Sequence, residues 1–169
     1  MFFLQKAIRS LDIGQRPLLW EDQDWDRVDE PGQHTLPLGP NDLRIWALMS
    51  GLRKGITPEE LSRQTGIDPW FTTKLMNIVE MENRLLSEPL NPVLLKQSKR
   101  TGFSDEDIAT LADRLPEQVR TLRHDWNIRP VYKMVDTCAA EFVAKTPYFY
   151  SSYDQENEAD SINCARALV

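Results

Sequence analysis

Histidine and cysteine are scarce here, two of each in 169 residues. Cys138 and Cys164 form no CxxC and show no Cys/His spacing, which disfavours both a disulfide framework and a structural zinc site. A nucleophilic Cys138 would need a base, but His34 lies in a proline-rich stretch and His124 on a helix flank. No triad can be argued from that spacing, and a core thiol is the simpler role. Glycine-rich loops that could cradle phosphate are also missing. No apolar run approaches the roughly 20 residues a membrane helix needs, so no membrane partner is expected. "MFFLQKAIRSL" carries Lys6 and Arg9 inside its apolar pattern, unlike a secretory signal, and acids at Asp12 and in "WEDQDWDRVDE" leave no acid-poor transit segment. A soluble, cytoplasmic protein is the default. Basic residues are the minority, 20 against 26 acidic ones, and the net charge of −6 gives phosphate-rich partners nothing from the overall field.

What is present reads as a helical globule. Hydrophobic residues make up 41% and charged residues 27%, within the globular range, and 169 residues suit one domain with attached arms. Apolar positions Phe3, Leu4, Ala7, Ile8 and Leu11 fall at helical spacing over 2–13, before Gly14. Residues 15–40 hold Pro17, Pro31, Pro37 and Pro40 with Gly32 and Gly39, a density that breaks helices and strands. They read as a linker, although Trp20 and Trp25 could instead lay indoles on a neighbouring surface.

From Asn41 the helix signals are dense. Asn41 is placed to cap a helix with Ile45, Leu48, Met49 and Leu52 inward, and Gly55 sits where a left-handed stop is wanted. "TPEE" offers Thr57 as cap, Pro58 at the first helical position and Glu60 to close a capping box; the helix should run to about Thr65. In "DPWF", Asp68 caps and Pro69 opens a longer helix with Phe71, Leu75, Ile78 and Leu85 inward, ending before Pro89. Asn91 and Pro92 start the next, which Gly102 ends. Ser104 then caps "DEDIATLA", whose acids suit the positive helix end, and Pro116 opens a last helix with Val119, Leu122 and Trp126 inward. Laid over Gly102–Leu122, Gly55–Leu75 repeats the same set of stop, cap, short helix, turn and proline-opened helix. Two packed helical hairpins give an all-α bundle.

Such a hairpin invites a helix-turn-helix reading, with the helix after Asp68 in a DNA groove. Glu80 and Glu82, read as exposed against a single Lys74, argue against several phosphate contacts there, and Trp70 is bulky at the entry. Arg120, Arg123, His124 and Arg129 suit DNA better, yet basic residues near a helix C-terminus commonly complement its dipole. Carboxylate pairs such as Glu59 and Glu60 serve as first-turn acids, and Met76, Met81 and Met134 form no cofactor box. No catalytic or metal-binding residue is assigned.

In order, "LQKAIRSLDIG", "GITPEELSRQTGIDPWFTTKLMNIVEMENRL", "LLKQSKRTGFSDEDIATL" and "IRPVYKMVDTCAAEFVAKTPYFYSSYDQENE" resemble the large chain of carbamoyl phosphate synthetase. The resemblance is to its helical oligomerisation domain, between the two ATP-grasp halves. It implies a terminal helix from the first half (1–14), a linker (15–40), the oligomerisation domain (41–128) and an arm towards the second half (129–158). Residues 159–169, "ADSINCARALV", diverge from the strand that should open that half, and Met1 falls inside what the family has as a continuing helix. The sequence therefore reads as a piece or short form of a longer chain.

Such a parent makes carbamoyl phosphate for arginine and pyrimidine synthesis from bicarbonate, ATP and ammonia, or glutamine through a glutaminase subunit or domain. ATP, magnesium and potassium are implied only for the full-length relative, and no cofactor for this chain. Implied partners are further copies of the chain, the ATP-grasp halves and, through them, the glutaminase. Asp68, Pro69, Trp70, Phe71, Tyr132, Asp136, Cys138, Phe142, Tyr148, Tyr150 and Tyr153 are the structural or interface candidates, with Trp46 as a further anchor. The aromatic run Val131–Tyr153 either docks on the catalytic halves or folds back onto its own helices. A catalytically inactive assembly module and a small helix-turn-helix regulator that binds nucleic acid or a protein both stay open.

Overall fold

The computed structural model describes residues 2–11, 16–26, 28–29, 33–34, 36–135 and 148–159. Among them, seven α-helices carry the fold: α1 (Phe2–Ser10), α2 (Arg44–Arg53), α3 (Pro58–Thr65), α4 (Pro69–Ser87), α5 (Pro92–Thr101), α6 (Asp105–Leu111) and α7 (Pro116–Asp125). Two antiparallel ribbons accompany them, β1 (Val28–Asp29) with β2 (Gln33–His34), and β3 (Val131–Val135) with β4 (Tyr148–Ser152). The chain is thus mainly helical, and the arm after Ile128 is a β-hairpin ribbon.

Local chemistry sets the helix ends. Proline opens α3, α4, α5 and α7, where its fixed φ is pre-set and its missing N–H costs nothing. Thr57 Oγ1 accepts from Glu60 N, Asp68 from Trp70 N, and Asn91 from Val93 N and Leu94 N. Ser104 forms a full capping box, its hydroxyl accepting from Asp107 N at 3.0 Å while the Asp107 carboxylate accepts from Ser104 N at 3.0 Å. "TPEE" completes only half of one, because the Glu60 carboxylate turns to Arg63 and Gln64. Asn41 does not cap α2. Its side chain folds a turn instead, accepting from Leu43 N and donating to Pro37 O and Gly39 O, so the helix begins at Arg44. Gly55, Gly66 and Gly102 take φ of +89°, +70° and +110° at helix ends, where a Cβ would be strained.

The core lies between α2, the α3–α4 hairpin, α5 and the α6–α7 hairpin, with Met49, Leu61, Ile78, Leu85, Leu94, Leu95, Ile108 and Val119 closed off from solvent. Burying each large apolar side chain contributes about 1.5–3 kcal/mol. The inner stripe of α4 is Thr72, Leu75, Ile78, Val79, Glu82 and Leu85. Phe71 is off it: at 57% exposed it faces solvent, because Thr72 takes the inward place and bonds Pro58 O. Glu82, read from sequence as exposed, is buried; its carboxylate takes both Nε and Nη2 of Arg53, at 2.7 and 2.8 Å.

Residues 16–26 are packed structure where a linker was predicted. Leu18 and Trp25 are buried, and Trp20 meets Trp25 and Trp46 edge-on at 5.5 and 6.2 Å between ring centres. Arg53 bonds Glu21 and Leu18 O, and Lys54 bonds Trp25 O. Two cations of one helix end therefore tie this strap down, and proline density marks irregular backbone here without marking freedom.

α1 packs on α5 and reaches α6, and its Ile8 and Arg9 border a cleft shared with Arg16, Pro17 and Trp20 of the strap. Ile8 and Gln5 are buried, Gln5 donating to Thr101 O, and Arg9 reaches Asp107 at 3.4 Å. Phe3 and Leu11 face outward, so the inner face is narrower than the apolar spacing implied. The β3–β4 ribbon lies beside α1, with Phe3 edge-on to Tyr150 at 5.4 Å and Lys6 Nζ donating to Ser151 O and Oγ at 3.3 and 3.1 Å.

Candidate functional site

Surfaces, and no catalytic constellation, distinguish the described residues. At the N-terminus of α4, Trp70 and Phe71 stand 59% and 57% exposed with their rings edge-on at 4.9 Å. The placement is local in origin. Asp68 caps and Pro69 opens the helix, which fixes the next two residues in its first turn, and Lys74 Nζ over the Trp70 ring at 5.5 Å helps hold the indole. A nineteen-residue helix separates this pair from the α4–α5 junction by about 28 Å. Large aromatics exposed side by side are the composition of an interface anchor. Trp46 is not one. It is 1% exposed, donates Nε1 to Pro17 O at 2.9 Å and belongs to the core, because α2 is covered by the strap.

The ribbon supplies a second surface. Its register sets Lys133 opposite Tyr150 and Met134 opposite Phe149. Tyr132, Met134, Val135, Tyr148 and Phe149 are exposed, whereas Tyr150 and Tyr153 are half-buried and Ser152 is buried. The described ribbon thus divides: Tyr150, Ser152 and Tyr153 turn onto the bundle, whereas Met134, Val135, Tyr148 and Phe149 present apolar area to solvent. Residues 157–158 cover the outer edge of β3, Asn157 and Glu158 side chains accepting from Tyr132 N and Met134 N and Glu158 N donating to Tyr132 O. Lys133 pairs with Glu158 at 2.9 Å, and that hydrogen bond, outweighing its desolvation, holds the ammonium above its ordinary range.

Between the ribbon and the helices sits a charged node that sequence reasoning missed. Lys99 Nζ meets Asp105 at 2.8 Å, Arg123 meets the other oxygen of Asp105 at 3.1 Å, and Lys99 lies 5.3 Å from the centre of the Tyr153 ring. Burial pulls the Lys99 ammonium below its ordinary value even against the Asp105 hydrogen bond and charge, aided by Arg123 and Arg9. Burial alone would raise the Asp105 carboxyl, but the Lys99 hydrogen bond and charge, then Arg123, bring it below its ordinary value. Desolvation raises the Tyr153 hydroxyl. The Asp105 carboxylate thus joins α5, α6 and α7, and Lys99 seats Tyr153, just beyond β4, against it. "KQSKRTGFSDED" gives no apolar or capping signal for this, since a buried lysine looks like a surface one in sequence.

Of the sequence candidates, Asp68 and Pro69 shape the α4 end, Trp70 and Phe71 form the exposed pair, and Tyr132, Tyr148, Tyr150 and Tyr153 lie on or beside the ribbon. Asp136, Cys138 and Phe142 lie outside the described residues. Among the described residues, the two clefts that border the ribbon are lined by residues of α1, α5, α6 and the turn after α7, and neither includes Trp70 or Phe71. Among the described residues no group of three or more His, Cys, Asp or Glu is placed to hold a metal ion, and no helix is long and apolar enough to cross a membrane. Glu82 and Arg123, weighed from sequence as surface charges of a DNA-binding face, are taken up by Arg53 and Asp105.

Residues 3–127 match the family model for the oligomerisation domain of the carbamoyl-phosphate synthetase large chain. The carbamoyl phosphate synthase large chain of Thermomicrobium roseum is 46% identical over 98% of this chain, and that of Streptomyces avermitilis 48% identical over 92%. The archaeal large chain of Methanothermobacter thermautotrophicus is 42% identical over 98%. At 98% coverage the similarity enters residues 159–169, which the sequence had set apart as divergent. The chain spans about one-seventh of these relatives, 14–15% of their length. On the family match and the identities together, this chain belongs to the carbamoyl-phosphate synthetase large-chain oligomerisation-domain family.

Proposed function

We propose that this chain is an assembly module, the helical segment that joins the two ATP-grasp halves of a carbamoyl phosphate synthetase large chain and presents a face for self-association. The adjacency of α1 and β4 carries the reading. Phe3 stacks edge-on against Tyr150, and Lys6 bonds Ser151, 145 residues further on. The polypeptide thus comes into the bundle and returns from it at one place, which suits a module set between two larger bodies. Trp70 and Phe71 then serve as anchors for a second copy, and the tip of the ribbon, with Tyr148 and Phe149, lies on a catalytic half.

In this reading the parent makes carbamoyl phosphate from bicarbonate, ATP and ammonia, or from glutamine with a glutaminase partner, in the cytoplasm and for arginine and pyrimidine biosynthesis. ATP, magnesium and potassium act in the ATP-grasp halves, and the isolated chain performs no turnover. It uses no nucleic-acid or membrane partner. Mixing the purified chain with the ATP-grasp halves of a large chain tests this. A stable complex without bicarbonate-dependent ATP hydrolysis by the chain alone is expected. Turnover by the chain alone, or no complex with either half, would contradict it.

A further inference from the structure

Most lysines and arginines of the described residues are engaged, in ion pairs such as Arg53 with Glu82, in bonds to carbonyls such as Arg44 to Thr65, or over rings such as Arg16 on Trp20. Lys96, Arg100, Arg114, Arg120 and Arg129 alone among them have no hydrogen-bond, ion-pair or ring partner within the described residues. Lys96, Arg100 and Arg129 line one cleft, of about 770 Å³, between α5 and the turn that leads from α7 into β3. Lys96 and Arg100 are one turn apart on α5, a rise of about 6 Å, and Arg129 comes from the other wall.

Helix dipoles do not account for the gathering. Arg100 sits in the last turn of α5, but Lys96 is in the middle of the helix and Arg129 lies beyond α7. Trp126 and Tyr153 add half-buried rings, and Gln97 and Asn127 add amides. Asp154 is the one carboxylate in the lining, and it already accepts from Ser152 Oγ at 2.9 Å. The positive field extends outward: after desolvation, Arg129, Arg123 and Arg120 press the nearby His124 below its ordinary value.

We propose that this cleft binds a ligand with two or more adjacent phosphate groups, gripped by the guanidinium forks of Arg100 and Arg129 with Lys96 as a point charge. A single carboxylate would leave two of the three cations uncompensated, whereas adjacent phosphates concentrate enough charge in a cleft of this size. The net charge of −6 does not prevent it, since screening limits exposed charges to about 10 Å and the local cations govern at contact. Side-chain cations take the place of the glycine-rich cradle that the sequence lacks.

The test titrates the 169-residue chain with sodium tripolyphosphate, followed by calorimetry and tryptophan emission. Saturable one-to-one binding is expected, weakened about tenfold or more in each of Arg100→Gln and Arg129→Gln, in line with 1.4 kcal/mol per decade. Arg120→Gln, an equally unpartnered cation outside the cleft, should leave affinity within about twofold. Trp126→Phe should remove the emission change. All the substituted cations are exposed, so melting curves should overlay the parent, and Lys96→Gln provides a third cleft variant. The proposal is overturned by absence of saturable binding, by equal losses in Arg120→Gln, or by folded cleft variants that keep full affinity. Citrate binding as tightly as tripolyphosphate would overturn the phosphate assignment in favour of a carboxylate-rich ligand.

Discussion

Arg53 shows how far one side chain can determine a local structure. Burial by itself would lower its guanidinium, but hydrogen bonds and charge from Glu82, then Glu21, hold it above the ordinary value, and a further bond to Leu18 O secures the strap. Glu82→Ala should therefore destabilise the chain by about 2–3 kcal/mol in urea unfolding, because it removes a two-pronged charged pair and leaves the half-buried Arg53 with only Glu21 and Leu18 O. Ser50 points the other way: its hydroxyl is buried in α2 without a partner among the described residues, and Ser50→Ala should stabilise by about 1 kcal/mol. The Lys99–Asp105–Arg123 node adds a pH dependence. Asp105 is held below its unfolded value of 3.8, so its contribution is complete above that pH and is lost as pH falls through the folded value. Lys99 is held below 10.5; the unfolded chain binds more protons there, so stability from this group rises with pH between its folded value and 10.5. Asp105→Asn should flatten the acid limb of a stability–pH curve measured between pH 2 and 5.

Helix ends are the most sequence-determined parts of the fold, since a cap, a proline or a left-handed glycine acts within four residues and needs no distant partner. Ser104→Ala should cost about 1 kcal/mol, measured by thermal unfolding, by removing the hydroxyl that receives Asp107 N. Starts at Pro58, Pro69, Pro92 and Pro116, stops at Gly55 and Gly102, and the paired hairpins were all legible for that reason. Features that depend on remote partners were not. Residues 16–26 carry the residues of a linker, and the cations at the end of α2, with the Trp20–Trp25–Trp46 packing and the Trp46 bond to Pro17 O, convert them into a strap. Phe71 looks like core because Thr72, the true inward residue, is polar in sequence and its hydroxyl finds its partners, Pro58 O and Pro69 O, in the fold. Within the candidate site, the exposed Trp70 could be read from its place after a cap, whereas the Lys99 node could not be read at all. The ribbon lay between: its aromatic run was plain, but which rings turn inward depends on Phe3, Lys6 and Lys99. Tyr148→Ser with Phe149→Ser, both exposed at the ribbon tip, should raise solubility at high concentration and leave the melting temperature within a few degrees.

The chain as a body combines two kinds of surface with different purposes. Around α1 and the ribbon, packing is mixed, and the charged node holds α5, α6 and α7 beside Tyr153. At the start of α4 two exposed aromatics stand clear of the core, and their replacement by alanine should leave the bundle folded. Assembly through that end is measured by sedimentation equilibrium across a range of concentrations. Reversible association of the unsubstituted chain is expected, weakened tenfold or more in Trp70→Ala with Phe71→Ala while the monomer stays folded. A parent chain that remains monomeric at every concentration, or a double variant that associates as tightly as the parent, would contradict it.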